Sequence, residues 1–593
     1  MTDRTEPLDV EQLPRGASRR RVLTRAGLGG VGGAVAGSGL LATPARAATP
    51  VVPSPRTPAL TPTPAAVPAG GQVFTRMFPG LPPFADPTDA VRSALLELGK
   101  PGGIMDPRDD LRDPTALINS PGVNGNGSDG TYGSNPDNPT MTAGSTFVGQ
   151  FTDHDITFDQ TSLMGVPQNP ALAPNGRSAA LDLDSVFGGG PGLSPQLYEP
   201  NSFGTLGPKL MLGATPNGLR EDLYRVDGKA VLGDPRNDEN LITAGLHAAH
   251  VRFYNRVVDD LAHLDLTNVP AAAIVGTAGL ASPMGQYLVA RQITQWHYQW
   301  LLVHEHLPQI CGQDLVDDVL RNGARFYRPA SGGAQLPVEF SGAAYRFGHS
   351  MIRPSYRANF TSGGPDVSDP AGANPFVALV FNPTEPTDGS DHHDRDDLLG
   401  GFRSDRRYIG WQTFFDFGDG EAKSNKRIDT AVSSVLFNLP VGTIAPGGQT
   451  DVLVLPQRNL LRHLTWSLPS GQRLARAMGV DPLSGSDLAA VKGVYAPFGN
   501  STPLWYYVLA EARAVNAGLS LGPVGGRIVA ETLIGLLQAD PTSYLSAFPS
   551  FEPFLGTDLQ LGPNQLQSLA GDRSYTRAHF LYYAGVVRPG VHR

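Results

Sequence analysis

Apolar residues recur at spacings of three and four in six stretches of the chain, and this period predicts helices over 239–263, 283–307, 460–466, 470–478, 503–514 and 525–538. Pro308 is expected to end the second of these. Strand-like alternation is sparse. The segments 122–142 and 361–403 are rich in Gly, Asn, Asp and Pro and predict irregular surface loops. Beyond residue 73 there is no Pro-rich linker and no repeat at a fixed period. The pattern therefore predicts a mainly α fold, one large domain over 73–593 with long loops and little β structure.

The start of the chain reads differently. Ser18-Arg19-Arg20-Arg21-Val22-Leu23 precedes a Gly-rich, weakly apolar stretch over 26–41 and the small-residue site Ala45-Arg46-Ala47, the form of a twin-arginine signal peptide over 1–47. That route exports folded proteins, so the expectation is a secreted protein that receives its cofactor before export. The apolar stretch is too short and glycine-rich for a membrane span, and no membrane association is expected of the mature form. Seven prolines between residues 48 and 72 predict an extended linker.

Composition narrows the chemistry. The 593 residues carry 46 Lys and Arg against 55 Asp and Glu, a net charge of -9 that becomes -12 once residues 1–47 are removed, which disfavours nucleic acid as a partner. A hydrophobic content of 40% supplies a large core, and 70 Gly and 53 Pro make the chain loop-rich without making it disordered. The single Cys, Cys311, excludes an intramolecular disulfide, a zinc ribbon and c-type haem attachment. It reads as a small buried hydrophobe.

Five segments carry candidate chemistry. In Gly149-Gln150-Phe151-Thr152-Asp153-His154-Asp155, Gln150 and His154 are four apart and share a helix face, with Asp153 and Asp155 on other faces. In Arg177-Ser178-Ala179-Ala180-Leu181-Asp182-Leu183-Asp184-Ser185, oxygen-bearing positions alternate with apolar ones. Such hard oxygens suit Ca²⁺, although the spacing is not an EF-hand's and a solvated acidic loop would read the same way. In Gly233-Asp234-Pro235-Arg236-Asn237-Asp238-Glu239, Arg236 and Glu239 are three apart and can face one site, or simply form a charge cluster at a helix start. Ala344-Tyr345-Arg346-Phe347-Gly348-His349-Ser350 sets a histidine among aromatic residues, and Gln457-Arg458-Asn459-Leu460-Leu461-Arg462 places Asn459 and Arg462 three apart.

Taken together and in this order, the five segments resemble the animal-type haem peroxidases, the myeloperoxidase and cyclooxygenase superfamily, in a bacterial secreted branch. The resemblance covers about residue 74 to the C-terminus and implies a helical fold with haem b between central helices. It implies His154, Gln150 and Arg236 as the distal catalytic residues and His349 as the proximal iron ligand. Asn459 would accept a hydrogen bond from the proximal ring, and Arg346 and Arg462 would pair with haem propionates or the proximal side. Asp153 and Glu239 match carboxylates that form ester bonds to haem methyl groups; Asn240 in place of Met removes the sulfonium link of myeloperoxidase. The implied calcium ligands are Asp155, Ser178, Ala180 through its carbonyl, Asp182 and Asp184.

The implied activity is reduction of hydrogen peroxide with oxidation of a halide, a pseudohalide or a small anionic or phenolic donor through a ferryl intermediate, by a monomer. Two rivals are a fatty-acid dioxygenase of the cyclooxygenase-like branch and a non-catalytic adhesion module on the same fold. The dioxygenase needs an oxidisable tyrosine near the proximal histidine in a pattern that Tyr345-Arg346-Phe347-Gly348-His349 does not match. Retention of Gln150, His154, Arg236 and His349 together argues against a decayed scaffold. His247, His250, His297 and His304 read as structural, and His392-His393-Asp394 as a solvated polar loop.

Overall fold

The core is assembled by helices whose ends are fixed by specific capping groups. Asn240 opens Leu241–Asp260 by accepting hydrogen bonds from the backbone of Ile242 and Thr243 at 3.1 and 2.8 Å. Ser282 and Pro283 open Pro283–Leu301, and Ser470 caps Gly471–Met478. Pro523–Ala539 lacks a local side-chain cap. Buried Glu511, from helix Leu504–Asn516, accepts from Val524 and Gly525 instead, so one helix closes the N-terminus of its neighbour.

The computed structural model describes residues 72–119, 135–159, 161–201, 206–215, 221–329, 333–360, 375–383, 394–440, 452–559 and 575–587. The expected signal peptide, nearly all of the Pro-rich linker and His392-His393 lie outside the described residues. In chain order the longer helices are α1 (Asp89–Leu98), α2 (Gly144–Ile156), α3 (Leu241–Asp260), α4 (Pro270–Leu280), α5 (Pro283–Leu301), α6 (Gln313–Asn322), α7 (Leu455–Thr465), α8 (Gly471–Met478), α9 (Leu504–Asn516) and α10 (Pro523–Ala539). The fold is mainly α-helical. The strands described form two-stranded antiparallel ribbons. The described residues fall within one compact unit, Thr63–Arg593. No helix among them is long and apolar enough to cross a membrane.

The predicted helices are present, with shifted ends and one correction of substance. Pro308 does not end the helix that begins at Pro283. The chain passes from α5 through a π turn, Leu302–His306, into Leu307–Cys311 and stops only at Gly312, whose φ is +83°. The wider turn accommodates a residue that cannot donate and whose ring would meet the carbonyl four residues back. Two expected loops also contain strands: Asp137–Thr142 pairs with Ser424–Lys426, and Val377–Leu379 with Ser355–Arg357.

Helix α2 is largely buried. Phe147, Val148, Phe151, Thr152, His154, Asp155 and Ile156 are all buried, and α3 packs along it. Its buried positions include polar Thr152, His154 and Asp155 among the apolar ones, so no clean apolar stripe marks its extent. The segment Ala344–Ser350, which carries His349, is a tight 3₁₀ turn packed on α9. Fully buried Trp505 of α9 donates from its indole Nε1 to the Arg346 carbonyl at 3.0 Å, and its backbone N–H donates to His463 Nε2 at 2.9 Å. Trp505→Ala is expected to lower stability by about 3–5 kcal/mol in urea unfolding, because it removes a large core side chain and an anchor of that turn.

Candidate active site

Helix α2 and the turn before α3 build one side of the site. His154 lies in the core, with Nδ1 2.9 Å from Asn237 Oδ1 and Nε2 4.0 Å from Glu239 Oε2. Burial, reinforced by the Arg236 charge, depresses its basicity to about 3, so the ring is neutral at physiological pH. Gln150 shares its face, as the spacing predicted. The Gln150 carbonyl accepts from Asn240 Nδ2 and Thr243 Oγ1 at 3.1 and 3.0 Å, which turns the amide nitrogen to Glu239 Oε2 at 3.5 Å.

Arg236 is held rigidly. Its Nε and Nη2 donate to the two oxygens of Asp234 at 3.0 and 2.7 Å, Nη2 also reaches the His154 carbonyl, and the guanidinium lies 4.3 Å over the Phe158 ring. These contacts leave Nη1. Asp234 takes Arg177 as well, at 2.9 Å, and against the pull of burial the two guanidiniums keep it ionised. Glu239 is the opposite case: burial pushes its carboxyl up to about 8 despite Arg236, and burial likewise raises Asp153.

The other side is carried by Ala344–Ser350 and α7. His349 Nδ1 is 2.7 Å from Asn459 Nδ2, and burial followed by the charge of Arg346 lowers its basicity to about 3. Asn459 is the partner of the ring as expected, with its amide nitrogen rather than its carbonyl facing Nδ1. The Asn459 carbonyl is occupied by Arg346 Nη1 at 3.3 Å, a charged donor, so the amide nitrogen faces the ring. Arg346 also donates to the Ser341 carbonyl. Burial and the neighbouring charges of Arg462 and Arg458 lower Arg346 to about 10, and among the described residues no carboxylate lies within ion-pair distance of it. Arg462 pairs with Asp159.

Asp153 links the two sides, since it feels both Arg236 and Arg346. Gln150, Asp153, Glu239, Arg346 and His349 all keep part of their surface accessible while protein encloses them, which is the signature of an internal cavity; the Glu239 side chain retains 25%. A flat dianionic macrocycle fits this space on two counts. Two neutral imidazoles, His154 and His349, have Nδ1 engaged by an asparagine and so keep Nε2 for another partner, and the cluster of Arg346, Arg458 and Arg462 is short of negative charge. Tyr345 stacks on Phe340 with ring centroids 4.6 Å apart, and its hydroxyl lies toward Gly149.

A second cluster adjoins the first. Asp155, Asp182 and Asp184 present carboxylate oxygens within 4.8 Å of one another. Ser178 joins them, donating from its backbone to Asp184 and from Oγ to Asp182, with Ala180 in the same loop. Leu183 adopts a left-handed conformation, φ 57°, that a bulky side chain seldom takes, and it lets Asp182 and Asp184 flank Asp155. Burial and mutual repulsion raise Asp155 well above the usual carboxylate range and Asp184 to about 7; burial raises Asp182. Oxygen ligands in this number suit a divalent cation.

Sequence reasoning missed Asp234, Asn237 and His247. The last two lie against each other, with Asn237 Nδ2 3.1 Å from His247 Nδ1. The signal available was their spacing, since Asn237 follows Arg236 directly and His247 lies two helical turns past Asn240. His250, His297 and buried Cys311 pack in the core as expected, and His304 meets the Tyr544 hydroxyl at 3.1 Å.

Residues 165–406 match the model of the animal haem peroxidase family. Over that stretch the chain is similar to the animal haem peroxidases, whose model spans less than half of its length. Among curated proteins, it is 31% identical over 153 residues to a human protein named probable oxidoreductase PXDNL; the match spans 26% of this chain and only 9% of that protein. Similar solved structures include peroxidase A from Dictyostelium discoideum (15% identity, TM-score 0.48, 87% of this chain and 95% of that one). They also include a fatty acid alpha-dioxygenase from Arabidopsis thaliana (15% identity, TM-score 0.48, 80% and 72%).

The carboxylate cluster makes a pH-dependent forecast. Asp184 keeps its proton up to about 7 in the folded chain against an ordinary value of 3.8. Between those values the folded protein binds more protons than the unfolded one, so this cluster loses stability as pH rises through the window. A cation in place of the protons cancels that loss. Thermal unfolding with and without millimolar Ca²⁺ is expected to show a Tm gain that grows from about pH 4 to about pH 7 and is mostly lost in Asp182→Asn. A gain that does not vary with pH, or survives the substitution, contradicts the site.

Proposed function

We propose that the protein is a secreted haem peroxidase that reduces hydrogen peroxide and oxidises a halide, a pseudohalide or a small phenolic donor. One observation carries the reading. Two buried neutral histidines, His154 and His349, are each tied through Nδ1 to an asparagine, which leaves Nε2 of both for another partner. His349 is the residue to hold iron. Its Nδ1 would then carry the proton, and a half-turn of the Asn459 amide, whose two ends have the same shape, supplies the acceptor. Arg346 and Arg462 are placed to hold the propionates, and Asp153 and Glu239 are the carboxyls available for ester links. Haem bound there supplies the iron that takes up peroxide and stores the oxidising equivalents released when the O–O bond breaks.

The chain's own residues manage protons and charge. Neutral His154 takes the proton of the incoming peroxide at Nε2 and returns it to the departing oxygen; its low basicity keeps the ring neutral beforehand and favours the return. Arg236, fixed by Asp234 and needing no reorganisation, stabilises the charge on that oxygen. Gln150 orients the polar side of the cavity from α2, and a protonated Glu239 adds no negative charge beside the base. A calcium ion at Asp155, Asp182 and Asp184 would lock the end of α2 directly next to His154.

His154→Leu is expected to lower kcat/KM for peroxide by about 10²–10⁴-fold while haem content is unchanged, followed by steady-state oxidation of a phenol. His349→Ala should instead lose haem, seen as loss of the Soret band. After brief peroxide treatment, acid-acetone should leave haem with the wild-type protein and extract it from Asp153→Asn combined with Glu239→Gln. A purified chain that binds no haem refutes the proposal.

A further inference from the structure

A neutral imidazole can carry its proton on either nitrogen, and only one choice leaves His154 able to accept a proton from the cavity. Burial does not decide between them. The Asn237 side chain does, because it touches two histidines at once: Oδ1 is 2.9 Å from His154 Nδ1, and Nδ2 is 3.1 Å from His247 Nδ1. All three residues are buried, Asn237 completely. An amide oxygen only accepts and an amide nitrogen only donates, so this arrangement puts the proton of His154 on Nδ1 and that of His247 on Nε2.

We propose that Asn237 is a positioning residue that sets the tautomer of His154, and that His247 sets the orientation of the Asn237 amide, so that His154 always presents a bare Nε2 to the cavity. The proposal rests on the peroxidase reading for its use but not for its geometry. Each member is held by a different element. Asn237 sits in the 3₁₀ turn Pro235–Asp238, with its backbone N–H donating to the Asp234 carbonyl at 3.1 Å, and Asp234 is clamped by Arg177 and Arg236. His247 belongs to α3, whose start is fixed by the Asn240 cap. His154 stands on α2. None of the three can shift without disturbing an anchored backbone. The amide turned over would donate to His154 Nδ1, move the proton to Nε2 and leave no base in the cavity.

The test reads the tautomer itself. Full-length protein labelled with ¹⁵N-histidine is examined by long-range ¹H–¹⁵N correlation, as purified without porphyrin and again loaded with diamagnetic zinc protoporphyrin, with His154→Ala and His247→Gln used for assignment. The expected result is a proton on Nδ1 of His154 and on Nε2 of His247. Asn237→Leu and His247→Leu should each release the His154 preference. His247→Gln, whose amide oxygen can still accept from Asn237 Nδ2, should retain it. In the ferric haem form, cyanide must give up a proton to a distal base as it binds. Its association rate constant should fall about tenfold or more in Asn237→Leu, at equal haem content, and stay within about threefold of the wild type in His247→Gln.

A wild-type His154 with its proton on Nε2 overturns the inference, as does an Asn237→Leu protein with unchanged tautomer and rate. Should Asn237→Leu not fold, the wild-type spectrum and His247→Leu decide by the same criteria. A chain that takes up no porphyrin defeats the peroxidase reading alone, since the porphyrin-free spectrum still reads the tautomer.

Discussion

Three consecutive polar side chains, Asp153, His154 and Asp155, stand near the end of a helix that protein surrounds on all sides, and everything around the site follows from satisfying them. Successive residues on a helix point about 100° apart, so no single partner can serve all three. The protein brings a different segment to each. Asp155 meets the Asp182–Asp184 loop, His154 meets the turn before α3, and Asp153 faces the cavity between Arg236 and Arg346. Buried polar groups without partners are costly, which makes the positions of these segments mutually dependent rather than independently adjustable.

The carboxylates of the site divide by whether a cation reaches them. Asp234 lies between two guanidiniums and stays ionised in the core, whereas Glu239, only a few residues on, is driven toward its neutral form by the same burial. One fixed charge and one suppressed charge next to a neutral imidazole keep the distal side nearly free of net negative potential. A base of low proton affinity needs that environment, because an ionised neighbour would hold the imidazole protonated.

The amphipathic helices α3 and α5 were legible in the chain because each has an exposed or half-exposed face that breaks the apolar run. Helix α2 was visible only as a motif, since its buried positions mix polar residues with apolar ones. The passage through Pro308 was misread because the pattern cannot show a π turn, which depends on packing around residues 302–306. At the site, residues with distinctive chemistry (His154, Arg236, His349, Asp182) declared themselves through spacing. Asn237 and His247 did not. An asparagine in a turn and a histidine in a helix are ordinary in sequence, and only the fold shows that one amide spans two rings. The orientation of Asn459 was illegible for the same reason: the competition between Arg346 and His349 for its carbonyl exists only in three dimensions.

The three neighbouring guanidiniums of Arg346, Arg458 and Arg462 bear on how the molecule is assembled. Only Arg462 has a carboxylate partner among the described residues, so closing the core over this cluster confines like charges in a medium that screens them poorly. Under the peroxidase reading, a dianionic guest beside these guanidiniums would relieve that repulsion. Maturation then acquires a direction: the last stage of packing and the capture of the guest stabilise each other, and the emptied chain should loosen first around Ala344–Ser350 and α7 while the remote helices hold.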